Sequence, residues 1–221
     1  MEDILKPELH KAALAELVGT FFLTLAALIS GSAFAVALTL AAFVYAIGDV
    51  SGCNINPAVT IGLMTTRRLP VLKGVYYILA QVIGALLARL VAGLVSPLAP
   101  QYVSGNAFAE FFGVAFLILV VMAVTDKYIP KSGSGIAIGA ALAAGLVTSK
   151  GILNPAVAIA MGLPLSPGVW AALLGGIVFA LISRLYAPQN KSQQSSSPSE
   201  EDEVPDQAQR LVFRPGGQHR R

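Results

Sequence analysis

Six long stretches of this 221-residue chain are apolar and almost free of charge. Hydrophobic residues make up 55% of the sequence and charged residues 12%, a balance that argues against a water-soluble globule. A helix needs about 20 apolar residues to cross a hydrocarbon core about 30 Å thick. We therefore predict an all-α membrane protein with six transmembrane helices. The predicted spans are residues 12–30, 33–48, 71–95, 108–125, 133–148 and 168–187.

Basic residues near the ends of these stretches predict the orientation of the chain, because cytoplasmic connections carry an excess of Lys and Arg. Arg89 and Lys150 fall on one side. A larger group falls on the side of both termini: Lys6, Lys11, Arg67, Arg68, Lys73, Lys127, Lys131 and Arg184. We expect a multi-pass protein of the cell membrane, plasma or inner, with both termini cytoplasmic. The net charge of +3 suits lipid headgroups better than nucleic acid, so no nucleic-acid partner is expected.

The composition of the chain changes near Pro188. From there a serine run is followed by acidic residues and a basic end, and such a composition cannot bury enough apolar surface to fold. We predict a cytoplasmic N-terminal segment (1–11), a membrane domain (12–187) and a disordered cytoplasmic tail (188–221).

The tripeptide Asn-Pro-Ala occurs twice in apolar sequence, at Asn56-Pro57-Ala58 and at Asn154-Pro155-Ala156. Asn is a preferred N-cap, and Pro fits the first helical position because the N–H it lacks has no partner there. About eight apolar residues follow each motif, enough for a helix of about 12 Å, roughly half a membrane. One such motif also fits a turn in a loop, but two copies favour two half-helices. The irregular backbone before them then indicates a pore, since backbone of that kind at membrane depth lines a cavity or is buried in protein.

The chain also divides into two similar halves. The segment 15–19 opens the first half, the segment 109–113 opens the second, and an Asn-Pro-Ala motif follows in each. Three crossings per half is an odd number, so the second half is inverted relative to the first. We predict an inverted 3+3 repeat, with repeats at about 12–95 and 108–187, whose functional site lies where the halves meet near the midplane.

These features resemble the major intrinsic protein family, the aquaporins and aquaglyceroporins. The stretch Asn54-Ile55-Asn56-Pro57-Ala58-Val59-Thr60-Ile61-Gly62 is similar to the family's first motif, and Glu16-Leu17-Val18-Gly19-Thr20 to its first-helix opening. The resemblance covers about residues 10–187. It implies an aquaporin-like channel domain of six tilted helices and two re-entrant half-helices, with a pore in each protomer and usually a homotetramer.

The resemblance also assigns roles within the pore. At the centre, the amides of Asn56 and Asn154 would donate hydrogen bonds to a passing oxygen atom, and the facing helix N-termini would repel cations. Glu16 and Glu110 would brace the re-entrant loops by accepting backbone N–H bonds; the alternative is that these carboxylates only reach the headgroups. Backbone carbonyls would line the vestibules at Gly52, Cys53, Asn54, Ile55, Lys150, Gly151, Ile152 and Leu153.

The predicted selectivity filter departs from the family pattern. Its positions correspond to Val36, Leu142, Gly151 and Val157, and Val157 stands where the family usually has an arginine. The resulting ring is apolar, which predicts either a wider and less selective constriction or one that dewets and slows water. The sequence leaves the roles of two nearby residues open. Lys150 supplies a positive charge or is only solvated, and Cys53 borders the pore or is a small apolar filler.

Together these observations predict passive permeation of water, and of small uncharged solutes such as glycerol, urea, ammonia or gases, with protons and ions excluded. The alternative is a non-transporting membrane scaffold or junction protein that keeps the fold. An enzyme is disfavoured, because the chain carries no nucleotide-binding loop and no Ser/His/Asp set. We expect no cofactor and no metal, since His10 and His219 have no neighbours at metal-ligand spacing.

Overall fold

The computed structural model describes residues 7–95 and 106–185, and all of its described secondary structure is helical. The predicted tail (188–221) lies outside these residues. The helices are α1 Pro7–Ser30, α2 Ala33–Ser51, α3 Pro57–Thr65, α4 Val71–Val95, α5 Ala107–Thr125, α6 Lys131–Ser149, α7 Pro155–Ala160 and α8 Pro167–Ile182, with a short 3₁₀ turn at Ser183–Leu185.

Six segments are long and apolar enough to cross a membrane: the helices α1, α2, α4, α5 and α6, and the stretch Pro167–Leu185. The all-α fold class and the six spans are therefore confirmed. The bounds differ most at the start, because α1 begins at Pro7. Residues 7–11, which we predicted to lie in the N-terminal segment, thus form the beginning of the first helix. Proline is compatible with this position because the first helical residue needs no N–H.

The two remaining helices, α3 and α7, are short, with nine and six residues. Asn56 and Asn154 have extended backbone and are the N-caps, and each accepts a hydrogen bond from its own helix; Pro57 and Pro155 take the first helical positions. The two short helices therefore start as the sequence predicts, from the local chemistry of each Asn-Pro pair.

The contacts between helices repeat in the two halves. α1 packs on α2 and α4, and α5 packs in the same way on α6 and α8, while α2 and α6 join the halves. Each short helix contacts a long helix of the opposite half: α3 packs against α8, and α7 against α4. This exchange brings the N-termini of α3 and α7 together between the halves.

Candidate functional site

The two asparagines at the ends of the short helices are bonded across the centre of the molecule. Each side-chain oxygen caps its own helix: Asn56 Oδ1 lies 2.8 Å from the Ala58 nitrogen, and Asn154 Oδ1 lies 3.1 Å from the Ala156 nitrogen. Each side-chain nitrogen donates to the opposite half. An asparagine amide has two N–H donors, so this bond occupies one and leaves one.

The acceptors of these cross-bonds are the carbonyls that precede the motifs. Asn56 Nδ2 donates to the Leu153 carbonyl and Asn154 Nδ2 donates to the Ile55 carbonyl, both at 2.9 Å. The sequence predicts that both carbonyls supply acceptors along the vestibules. In the structure each carbonyl also joins the two halves, because each buried asparagine amide needs acceptors for its donors, and a carbonyl oxygen keeps a second lone pair.

The first re-entrant loop, residues 52–55, is held by the carboxylate of Glu16. This carboxylate accepts hydrogen bonds from the backbone nitrogens of Asn54 (2.9 Å) and Ile55 (2.6 Å), from Ser51 Oγ (2.6 Å) and from Gln81 Nε2 (2.8 Å). Glu16 is fully buried. Its position in the structure therefore matches a brace and not a carboxylate that reaches the headgroups.

The second re-entrant loop, residues 150–153, has the equivalent arrangement around Glu110. The carboxylate accepts from the backbone nitrogens of Ile152 (2.7 Å) and Leu153 (2.8 Å). It also lies directly against Gly151, where a Cβ would be 2.5 Å from the Glu110 Cδ. The predicted filter position at Gly151 is thus in contact with the brace and has no room for a side chain.

Both braces support strained backbone. Ile55 has φ 36° and Leu153 has φ 58°, a left-handed conformation that is uncommon for residues with a branched side chain. Ile55 and Leu153 donate their N–H groups to the bracing glutamates, and each loop has a second left-handed residue, Cys53 or Lys150. Strain of this kind persists where the surroundings over-determine it, and it clusters at functional sites.

One cavity of about 270 Å³ runs between the two loops and the helices around them. It is bordered by both asparagines, by the four predicted filter positions Val36, Leu142, Gly151 and Val157, and by the loop residues Cys53, Asn54, Ile55, Lys150 and Ile152. Gly52 and Leu153, predicted to line the vestibules, do not border it. Pro57, Ala58, Pro155 and Ala156 are buried outside it and form the starts of the short helices.

The wall opposite the loops is apolar. It consists mainly of aliphatic side chains: Leu23, Leu40, Leu117, Val121, Ile138 and Leu146. Lys150 is the one charged residue among the described residues that border the cavity, and it is exposed. The cavity therefore offers hydrogen-bonding groups along the loops and at its centre, facing an apolar surface.

Two arginines that the sequence did not mark as site residues bind the far ends of the short helices. Arg89 of α4 donates to the carbonyl of Ala160, the last residue of α7, and Arg184 after α8 donates to the carbonyl of Thr66, the residue after α3. An arginine inside the apolar stretch 71–95 was the available signal for Arg89. No group of three or more His, Cys, Asp or Glu within residues 7–95 and 106–185 is placed to hold a metal ion.

Comparisons with known proteins give the same picture. Residues 3–187 match the family model described as Major intrinsic protein. The chain is 31% identical over 223 aligned positions to Aquaporin Z of Rhodopseudomonas palustris, covering 80% of this chain and 93% of that protein. It is 32% identical over 197 positions to Nodulin-26 of Glycine max, covering 76% and 73%.

A solved structure supports the fold. The aquaglyceroporin from Plasmodium falciparum superposes with a TM-score of 0.61 over 80% of this chain and 95% of that one, at 20% sequence identity. At this identity the likeness bears on architecture alone. The match of the family model to most of the chain, together with six spans and two paired short helices, shows that the chain belongs to the major intrinsic protein family of membrane channels.

Proposed function

We propose that this channel conducts water and small uncharged solutes passively and excludes ions. The observation that carries the proposal is the pair of asparagine amides at the centre of a largely apolar cavity, each held in place by its own helix and by the opposite loop. Glycerol, urea, ammonia and dissolved gases are the solutes to compare with water. The names aquaporin and aquaglyceroporin, carried by the relatives, are in keeping with this range.

The chemistry of passage follows from where donors and acceptors lie. A molecule in the cavity meets backbone carbonyls along the loops, and near the centre it meets the remaining N–H of Asn56 and of Asn154. A water whose oxygen accepts from both amides has no lone pair left to receive a proton from its neighbour. This arrangement lets water pass and interrupts proton transfer along the row of water molecules in the pore.

The predicted filter sets which solutes pass. Val36, Leu142 and Val157 provide no side-chain donor, and Gly151 provides no side chain. A polar solute at this ring keeps few of its hydrogen bonds. Compared with a ring that contains an arginine, this ring therefore favours solutes that have little hydration to lose. We propose that the filter discriminates by size and apolar character.

Stopped-flow light scattering on proteoliposomes tests the function. Under an osmotic gradient of impermeant sucrose, vesicles with the protein are expected to shrink faster than empty vesicles. In glycerol or urea, shrinkage followed by re-swelling identifies a permeant solute. Rates equal to those of empty vesicles in every gradient contradict a channel and favour the scaffold alternative.

A matched pair of variants tests the pore's location. Val36 and Leu38 lie two residues apart on α2, and Val36 borders the cavity whereas Leu38 is exposed on the outer surface of the helix. We expect Val36→Trp to reduce flux towards that of empty vesicles and Leu38→Trp to leave it nearly unchanged. Equal effects contradict the assigned pore.

The proposal includes assembly and orientation. We propose a homotetramer in the cell membrane with both termini in the cytoplasm, supported by the family resemblance and by the distribution of basic residues. Mass measurement of the detergent-solubilised protein tests the tetramer. Protease access to tags at each terminus in sealed inside-out vesicles tests the orientation.

A further inference from the structure

Each short helix is fastened at its far end by an arginine from the opposite repeat. Arg184, after α8, binds the end of α3, and Arg89, on α4, binds the end of α7. Each repeat thus supplies the arginine that binds the end of the short helix of the other repeat. A positive charge at a helix C-terminus is favourable because the last carbonyls there lack helical partners.

Among the residues that the structure describes, no carboxylate neutralises the charges of these two arginines. In contrast, Arg68, on the segment after α3, forms a two-point ion pair with Asp126, with nitrogen–oxygen distances of 2.9 and 2.5 Å. Within the described part of the chain, neither Arg89 nor Arg184 has a carboxylate within ion-pair distance. Each one therefore contributes a net positive charge at the end of a short helix that leads to the pore centre.

Neither arginine borders the cavity, so neither contacts a molecule inside it, and its charge acts on permeation through space. The α3 helix has nine residues, so its far end lies about 13 Å from the centre at a rise of about 1.5 Å per residue. For a cation at the centre, one charge at this distance changes the Boltzmann factor by about twofold in a water-like dielectric and by about tenfold at an effective dielectric constant of about 20.

We propose that Arg89 and Arg184 are specificity-determining residues that raise the barrier to protons and other cations without contacting the permeating molecule. The inference rests on the proposed function, because it concerns the selectivity of the same pore. It assigns part of the cation exclusion to these two charges in a channel where Val157 stands in place of the usual filter arginine.

Charge-removing and charge-keeping substitutions test this proposal. In Arg184→Gln and Arg89→Gln, the side chain keeps a hydrogen-bond donor and loses its charge, whereas the Lys substitutions keep the charge. Lys127→Gln is the control for general surface charge, because Lys127 is an exposed residue after α5. Water flux is measured by stopped-flow light scattering. Proton leak is measured with a pH-sensitive dye inside vesicles containing valinomycin and K⁺.

We expect each Gln variant to raise the proton leak about twofold to tenfold while water flux changes by less than twofold. The Lys variants and Lys127→Gln are expected to keep the leak of the unmodified protein. An unchanged leak in folded Gln variants overturns the proposal, and so does an equal rise in Lys127→Gln. Bilayer-like water flux in the unmodified protein overturns the proposed function instead, so the two failures are distinguishable.

A second measurement tests the proposal without variants, in case the substituted proteins do not fold. The leak of the unmodified channel is followed from about 10 mM to about 1 M ionic strength, over which the screening length falls from about 30 Å to about 3 Å. Because both arginines are exposed, salt is expected to weaken their field and raise the leak at least twofold. A leak that does not change with ionic strength overturns the proposal.

Discussion

A methyl group added at Gly84 tests whether the contact between α1 and α4 determines both stability and the shape of the pore. A Cβ at Gly84 would collide with the carbonyl oxygen of Leu17 and lie 3.1 Å from its carbonyl carbon and 3.2 Å from the Phe21 nitrogen. All three atoms belong to the backbone. No side chain can therefore relieve the contact by rotating, and α4 must move away from α1.

The magnitude follows from a comparison within one helix. Gly93 also lies on α4, and a Cβ there would meet nothing within 4 Å. Both Gly→Ala changes gain about 1 kcal/mol of helix propensity, so the difference between the variants reports overpacking alone. Overpacking of a filled interior costs about 1–3 kcal/mol. For a domain of this size, each kcal/mol corresponds to a change of about 2–4 °C in the unfolding midpoint.

The assay is thermal unfolding of the purified protein in detergent, with Gly84→Ala and Gly93→Ala prepared identically. We expect Gly84→Ala to unfold at a temperature lower by about 2–12 °C than Gly93→Ala. We also expect slower water flux, because Leu17 follows Glu16 on α1 and a shift of this helix moves the brace of the first loop. A Gly84→Ala protein as stable and as permeable as Gly93→Ala refutes the reasoning.

Three further predictions concern the loops. Gly151→Ala places a methyl group against the Glu110 carboxylate, which displaces the second loop and should lower solute flux in the vesicle assay; normal flux contradicts this. A small thiol reagent should slow flux by reacting with Cys53, which borders the cavity, and the Cys53→Ala protein should be insensitive. Amide hydrogen exchange should be faster in residues 150–153 than in residues 52–55, because fewer groups hold the second loop; equal or reversed rates contradict this.

Much of the site could be predicted because its chemistry is local in the sequence. An asparagine followed by a proline suits a helix start at those two residues, and its repetition in both halves favours this reading over a loop turn. The extents of the long helices follow equally from consecutive apolar residues. The buried glutamates at the start of each half were also recognisable, since a carboxylate inside an apolar stretch needs a partner.

The features that were missed depend on residues far apart in the chain. Asn56 and Leu153 are separated by 97 positions, and nothing near either one indicates that the amide of Asn56 reaches the carbonyl of Leu153. The contact exists only once the inverted halves interlock. The same holds for Arg184, which binds a carbonyl 118 positions earlier.

The inverted repeat supports its two loops unequally. The contacts of two equivalent glycines show which residues correspond in the two halves. Gly175 packs against the Phe111 carbonyl, with a built Cβ at 2.7 Å, as Gly84 packs against the carbonyl of Leu17. Because these contacts are equivalent, the residue three before Gly175, Ala172, corresponds to Gln81, three before Gly84.

Gln81 donates to Glu16 and to Thr60, whereas Ala172 has no group to donate and borders a void beside Glu110 that is too narrow for a water molecule. The first loop is thus supported by a network of polar side chains. Beside the second loop, which carries the predicted filter position Gly151, the Glu110 carboxylate accepts two bonds, from the backbone N–H groups of Ile152 and Leu153. Since local opening follows the number of contacts that must break, the second loop is the one able to change shape. Of the four predicted filter positions, Gly151 therefore lies on the loop that the fold holds less firmly.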